Sequence, residues 1–195
     1  MKTKKIIYEL KEHIPFTIIA TLIAVLIIMY VQFILKKEIS DELFHTLHPL
    51  HILVSAIATS GIYYKYKKNI FQAILIGIIG AIIIGSISDI IFPYLGGTLL
   101  NLNTEFHLPI IENTLLILLV AAIGSVLGTF KITKIPHMLH VLLSVFASLF
   151  YLITFSPEFN MIYFIASFFI VFIAVIIPCC VSDIIFPLLF VRRKK

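Results

Sequence analysis

The sequence predicts an all-α integral membrane protein, with six transmembrane helices arranged as two inverted-topology repeats of three. Three observations predict it: a membrane composition, six apolar runs of spanning length, and a set of polar motifs that recurs in the same order in both halves. Hydrophobic residues make up 61% of the chain and charged residues 13%, with a mean hydropathy of +1.11. A soluble domain carries roughly a quarter charged residues. The 195 residues suit a single membrane domain.

A helix needs about 20 apolar residues to cross some 30 Å of hydrocarbon. The runs near 15–35, 49–66, 70–94, 109–130, 136–155 and 161–190 meet that need. They are continuously apolar, without the alternation of a membrane β-barrel. The first run follows the basic stretch Lys2 to Lys5 with no small-residue cleavage site after it, so it reads as a retained span. The second and fifth open at Pro49 and Pro136, which suits proline's place in a first helical turn. The third carries Gly77, Gly80 and Gly85 and the fourth Gly124 and Gly128, residues that let helices approach closely. Pro178 interrupts the sixth and predicts a kink.

Basic residues set the orientation. Lys2, Lys4, Lys5, Lys11, Lys65, Lys67, Lys68, Lys131, Lys134, Arg192, Arg193, Lys194 and Lys195 share one side, and only Lys36 and Lys37 fall on the other. The positive-inside rule then predicts an integral protein of the cytoplasmic membrane, if the source is prokaryotic, with both termini cytoplasmic. Basic residues so placed orient helices, and no nucleic-acid partner is expected.

The repeat is explicit. Ser88-Asp89-Ile90-Ile91-Phe92-Pro93 recurs as Ser182-Asp183-Ile184-Ile185-Phe186-Pro187, 94 residues later. His13-Ile14-Pro15 matches His107-Leu108-Pro109 at the same offset. His48 and His51 match His137 and His140, and Ser55 matches Ser144, at an offset of 89. Repeat one covers about 12–95 and repeat two about 106–190. Each holds three spans, an odd number, so the second copy must be inverted, as in many secondary transporters. In size and 3 + 3 design the chain resembles the small six-helix exporters of the LysE superfamily, whose sequence motifs it lacks.

The recurring polar residues are the candidate site. Topology assigns His48, His51, Asp89 and His107 to the outer side, and His13, His137, His140 and Asp183 to the inner side. Residues three apart share a helix face, so each His-x-x-His pair can offer two imidazoles to one ion. Imidazole and carboxylate suit Zn, Mn, Fe, Co or Ni as divalent ions. His45 and Glu112 supplement the outer set. Cys179 and Cys180 supplement the inner one with softer thiolates, and being adjacent they imply no disulfide framework. Interfacial capping by histidines at helix starts accounts for the same residues without a ligand.

The expected function is a small transporter of a divalent transition-metal cation, alternating access between two pseudo-symmetric His/Asp clusters, with protons as a candidate coupling ion. The lipid bilayer is its solvent, and a homodimer is compatible with its size. The alternatives are a membrane-embedded metal-dependent enzyme, a haem- or quinone-binding protein using the same histidines, and a helper subunit of a larger complex. No HExxH sequence is present, and no span contains arginine to grip a phosphate.

Overall fold

The computed structural model describes residues 2–35, 40–130, 135–156, 160–180 and 185–191. Among them every assigned element is helical: α1 (Lys2–Met29), α2 (Asp41–Lys67), α3 (Ile70–Ser86), α4 (Phe92–Leu99), α5 (Pro109–Glu112), α6 (Thr114–Gly128), α7 (Ile135–Thr154), α8 (Met161–Cys180) and α9 (Phe186–Leu189). π-helical turns extend α1 over Tyr30–Ile34 and join α3 to α4 over Ile87–Ile91.

Among the described residues, three stretches are long and apolar enough to cross a membrane: Thr17–Ile34, Ile70–Leu99 and Ile162–Cys179. The other three expected spans differ for separate reasons. Asn113 divides the fourth run into α5 and the 15-residue α6. In α7 the described apolar stretch is Leu139–Thr154. α2 is long, but its three histidines lower its hydropathy, and it is also the helix most enclosed by others, packing against α3, α6 and α7. A hydropathy scan penalises a polar helix that a bundle shelters from lipid. The outer surface is apolar where helices face outward: Ile19, Leu26, Leu115, Leu119, Ile165 and Phe169 are all half-exposed or more. Apolar surface on that scale is foreign to a monomer in water.

α2 corrects one sequence expectation. It starts at Asp41, a full two turns before Pro49, which lies inside the helix. Ser40 is extended at the N-cap, and Asp41 and Glu42 occupy the first turn, where carboxylates suit the positive end of the helix dipole. His48 is therefore an interior residue, with no role in capping. Lys68, in the left-handed conformation, ends α2, and Asn69 caps α3 by accepting the Gln72 N–H at 3.0 Å. A two-residue turn makes α2 and α3 antiparallel neighbours. The rod from Ile70 to Leu99 is 30 residues long, about 45 Å at 1.5 Å per residue. Asp89 lies ten residues from its end, about three turns inside the rod.

Two apolar cores result. One joins α1, α7 and α8 through Ala24, Val25, Val145, Leu149, Val171 and Val175, and takes in Phe44 of α2 and Ile90 of the π turn. The other joins α2, α3 and α6 through Ile52, Ala56, Ala81, Ile117 and Ala121. The cores meet where α2 packs on α7. The second core depends on glycine: a Cβ on Gly124 would collide with the carbonyl oxygen of Leu53, and one on Gly128 with that of Ile57. Backbone carbonyls cannot rotate aside, so Gly124→Ala should force α6 away from α2. We expect it to lower stability in detergent by about 1–3 kcal/mol, read by thermal unfolding, with lipid-facing Leu119→Val near neutral. An unchanged midpoint for Gly124→Ala would refute this packing.

Candidate metal centre

Asp89 sits in the π-helical turn between α3 and α4, and its side chain is fully buried. π turns inside α-helices widen the coil and re-aim a side chain, often at functional positions. Here the turn presents the carboxylate to α2 and α7. Oδ2 lies 2.8 Å from His48 Nδ1 and 2.6 Å from His51 Nδ1. Oδ1 accepts the Ser88 hydroxyl at 2.8 Å and the Ser144 hydroxyl at 3.0 Å. The two histidines reach it together because residues three apart share a face of α2. An ionised carboxylate only accepts hydrogen bonds, so both imidazoles donate from Nδ1 and carry their lone pairs on Nε2.

His51 then faces the other core. Its ring stacks on that of His140, from α7, with centroids 4.6 Å apart and planes 20° from parallel. Its Nε2 lies 4.0 Å from Cys179 Sγ, on α8. The Cys179 thiol donates to Ser144 Oγ at 3.2 Å, which ties it to the Asp89 network. His51, His140 and Cys179 are all buried, and their ligand atoms lie within 4.8 Å of one another, so the group could hold a metal ion.

Among the described residues, the geometry joins a member of the expected outer set to one of the expected inner set. His51 and His140, assigned to opposite sides, are in contact. The sequence reading placed them at helix starts, and the two extra turns of α2 carry His51 toward the middle of its helix. Asp89 does approach His48 and His51, as the cost of a buried carboxylate demands.

The remaining outer residues adjoin this centre. Phe44 stacks on His48 with centroids 5.6 Å apart and meets His107 edge-on. His107 packs against His45 and lies on Phe155, and its Nδ1 is 3.1 Å from Glu112 Oε1. The connector before α5 is pinned there by Tyr151, which donates to the Glu105 carbonyl and accepts the His107 N–H. His13 and His137 lie in α1 and α7, but their side chains, like that of Cys180, are outside the described residues, as is Asp183 altogether.

Ser88 and Ser144 are members of the centre that sequence reasoning did not select. Both carried a signal, since Ser88 opens the duplicated motif and Ser144 follows His140 by one turn. Ser148, one turn further on, donates to the Ser88 carbonyl at 3.0 Å and holds α7 to the π turn. No protein-family model, curated protein or solved structure matches the chain.

Removing the carboxylate with Asp89→Ala leaves the Nδ1–H groups of His48 and His51 without their acceptor, while Ser88 and Ser144 can turn to the Gly85 carbonyl and the Ser88 hydroxyl. We expect a loss of about 3–5 kcal/mol, against about 1–3 kcal/mol for Ser88→Ala, measured by denaturation in mild detergent. Equal effects would mean that the carboxylate is not what the network is built around. His107 supplies a pH test. Burial lowers its pKa from 6.5, outweighing Glu112, which raises it. The folded state therefore favours neutral imidazole, and the unfolded chain binds the proton more readily. Stability should fall as pH drops below about 6.5, and His107→Gln should flatten that part of the thermal stability profile.

Proposed function

We propose that the chain is a six-span membrane transporter that moves a transition-metal cation through one central site shared by two inverted repeats. The observation that carries this reading is the contact between His51 and His140. They are equivalent residues in the two repeats, and equivalent residues touch only near the axis that relates the copies. In an inverted repeat that axis lies in the membrane plane, so a site on it is at mid-depth, where such transporters hold their substrates.

The packing supports the same reading. Exchanging the repeats turns α1, α7 and α8 into α6, α2 and α3, which are the helices of the two apolar cores. Tilting one core against the other then opens the shared site to either side in turn, and symmetry makes the two states alike. The apolar runs and the distribution of lysine and arginine support six spans with cytoplasmic termini. The contact between His51 and His140 favours one shared site over the two clusters expected from topology. The stacked imidazoles leave no gap for a haem between them, which disfavours that alternative.

The test begins with the purified chain loaded with Zn²⁺, washed and analysed for metal. The wild type should retain zinc, and a His51→Ala/His140→Ala double variant should not. Proteoliposomes enclosing a fluorescent chelator should then show uptake with the wild type alone. Metal retention without uptake would rule out transport and leave a metal-dependent enzyme as the better reading.

A further inference from the structure

The proposed site contains two kinds of acidic group, and the geometry assigns them different work. Both oxygens of Asp89 are already engaged, each by two neighbouring side chains. A carboxylate offers about four lone-pair positions, and its four donors are His48, His51, Ser88 and Ser144. Its bond to His51 Nδ1 leaves Nε2 as the coordinating atom. This is the carboxylate–histidine arrangement that orients a metal ligand and raises its basicity.

His51 Nε2 meets Cys179 Sγ across 4.0 Å. A zinc-like ion with bonds of about 2.1 Å to nitrogen and 2.3 Å to sulfur spans about 3.6 Å between them at a tetrahedral angle. The approach needed is a few tenths of an ångström. His140, stacked on His51 with planes 20° apart, becomes the third ligand when its ring turns to bring a nitrogen lone pair onto the ion, and the fourth position is left to water or another donor.

Resting on the transport reading, we propose that His51 Nε2, His140 and Cys179 Sγ coordinate the transported ion and that Asp89 is a positioning residue. The site accordingly selects a thiophilic, zinc-class cation over Mn²⁺ and Mg²⁺. Thiolate is a soft ligand that suits zinc, while manganese and magnesium prefer oxygen. When a hydrated divalent ion enters, the metal–sulfur bond forms as the Cys179 S–H bond breaks, the proton passes to water shed by the ion, and the thiolate and the Asp89 carboxylate together balance the two positive charges. The thiolate comes from one repeat only: Gly85 is the counterpart of Cys179 at the 94-residue offset, so no second thiol faces it across the axis.

Co²⁺ serves as the probe, because a thiolate bound to it gives a charge-transfer absorption and a tetrahedral site gives intense ligand-field bands. The purified full chain should show both. Cys179→Ser should bind Co²⁺ without the charge-transfer band, and its preference for Zn²⁺ over Mn²⁺ in competition should narrow. Asp89→Asn should keep both spectral features while its Zn²⁺ affinity falls roughly 10–100-fold. If that variant does not fold, Ser88→Ala gives the milder form of the test, a smaller loss of affinity with unchanged bands. Wild-type protein that binds Co²⁺ with no charge-transfer band would overturn the thiolate assignment and leave the metal site standing. Ligand-field bands that alter in Asp89→Asn would make Asp89 a ligand and overturn its positioning role. Failure of the wild type to bind any ion would defeat the site itself, and this inference with it.

Discussion

A carboxylate removed from water must be resolvated by the protein, and the centre of this structure is organised around that demand at Asp89. Burying an isolated carboxylate is prohibitive, and removing one partner from a buried charged network costs several kcal/mol. Four donors meet the cost here, and between them they constrain three elements. His48 and His51 fix the rotation of α2. Ser88 fixes the π turn on which the carboxylate itself sits. Ser144 fixes α7. The helices of a membrane bundle gain little from apolar contact alone, because lipid is as apolar as leucine, so hydrogen bonds and close packing carry their association.

Close packing supplies what the polar network cannot. The donors reach Asp89 only if α2 is held near both cores. Gly124 and Gly128 let α6 approach the α2 backbone behind the site. Small hydroxyl residues do the same within the interfaces: Ser55, Thr59, Ser60, Ser125, Ser144 and Ser148 are all buried. Ordinary side chains at these positions would fill the interface with volume and leave the carboxylate without reach. The small residues of α2, α6 and α7 and the polar centre are thus one requirement met at two scales.

The sequence made the helical membrane class, the helix pairing and the identity of the central residues legible. Hydropathy reports burial from water, and the recurring Ser-Asp-Ile-Ile-Phe-Pro and His-x-x-His motifs pointed to Asp89, His48, His51 and His140, which the fold brings to its centre. Depth was not legible. An apolar run ends where polar residues begin, but α2 continues outward through Asp41, Glu42, His45 and His48, because Phe44 and His48 pack inward there and the acidic residues suit the helix start. The rod from α3 to α4 likewise continues past Pro93. These extensions turn histidines that look interfacial into interior ones. The hydrogen bonds of Ser88 and Ser144 were illegible for another reason. A serine's role depends on which carboxylate lies beside it, and that is a tertiary fact.

The distribution of partners between the two cores sets what a moving bundle could do. Three of the four donors to Asp89 come from α2 or from the π turn that continues α3, and only Ser144 belongs to α7. The carboxylate would therefore remain largely solvated if the two cores tilted apart, and the Ser144 bond is the one such a tilt would stretch. The metal group is divided the opposite way, with His51 on α2 and both His140 and Cys179 on the facing core. An ion held by that group would bridge the two cores, whereas the carboxylate would keep His48, His51 and Ser88 even if Ser144 moved away with α7.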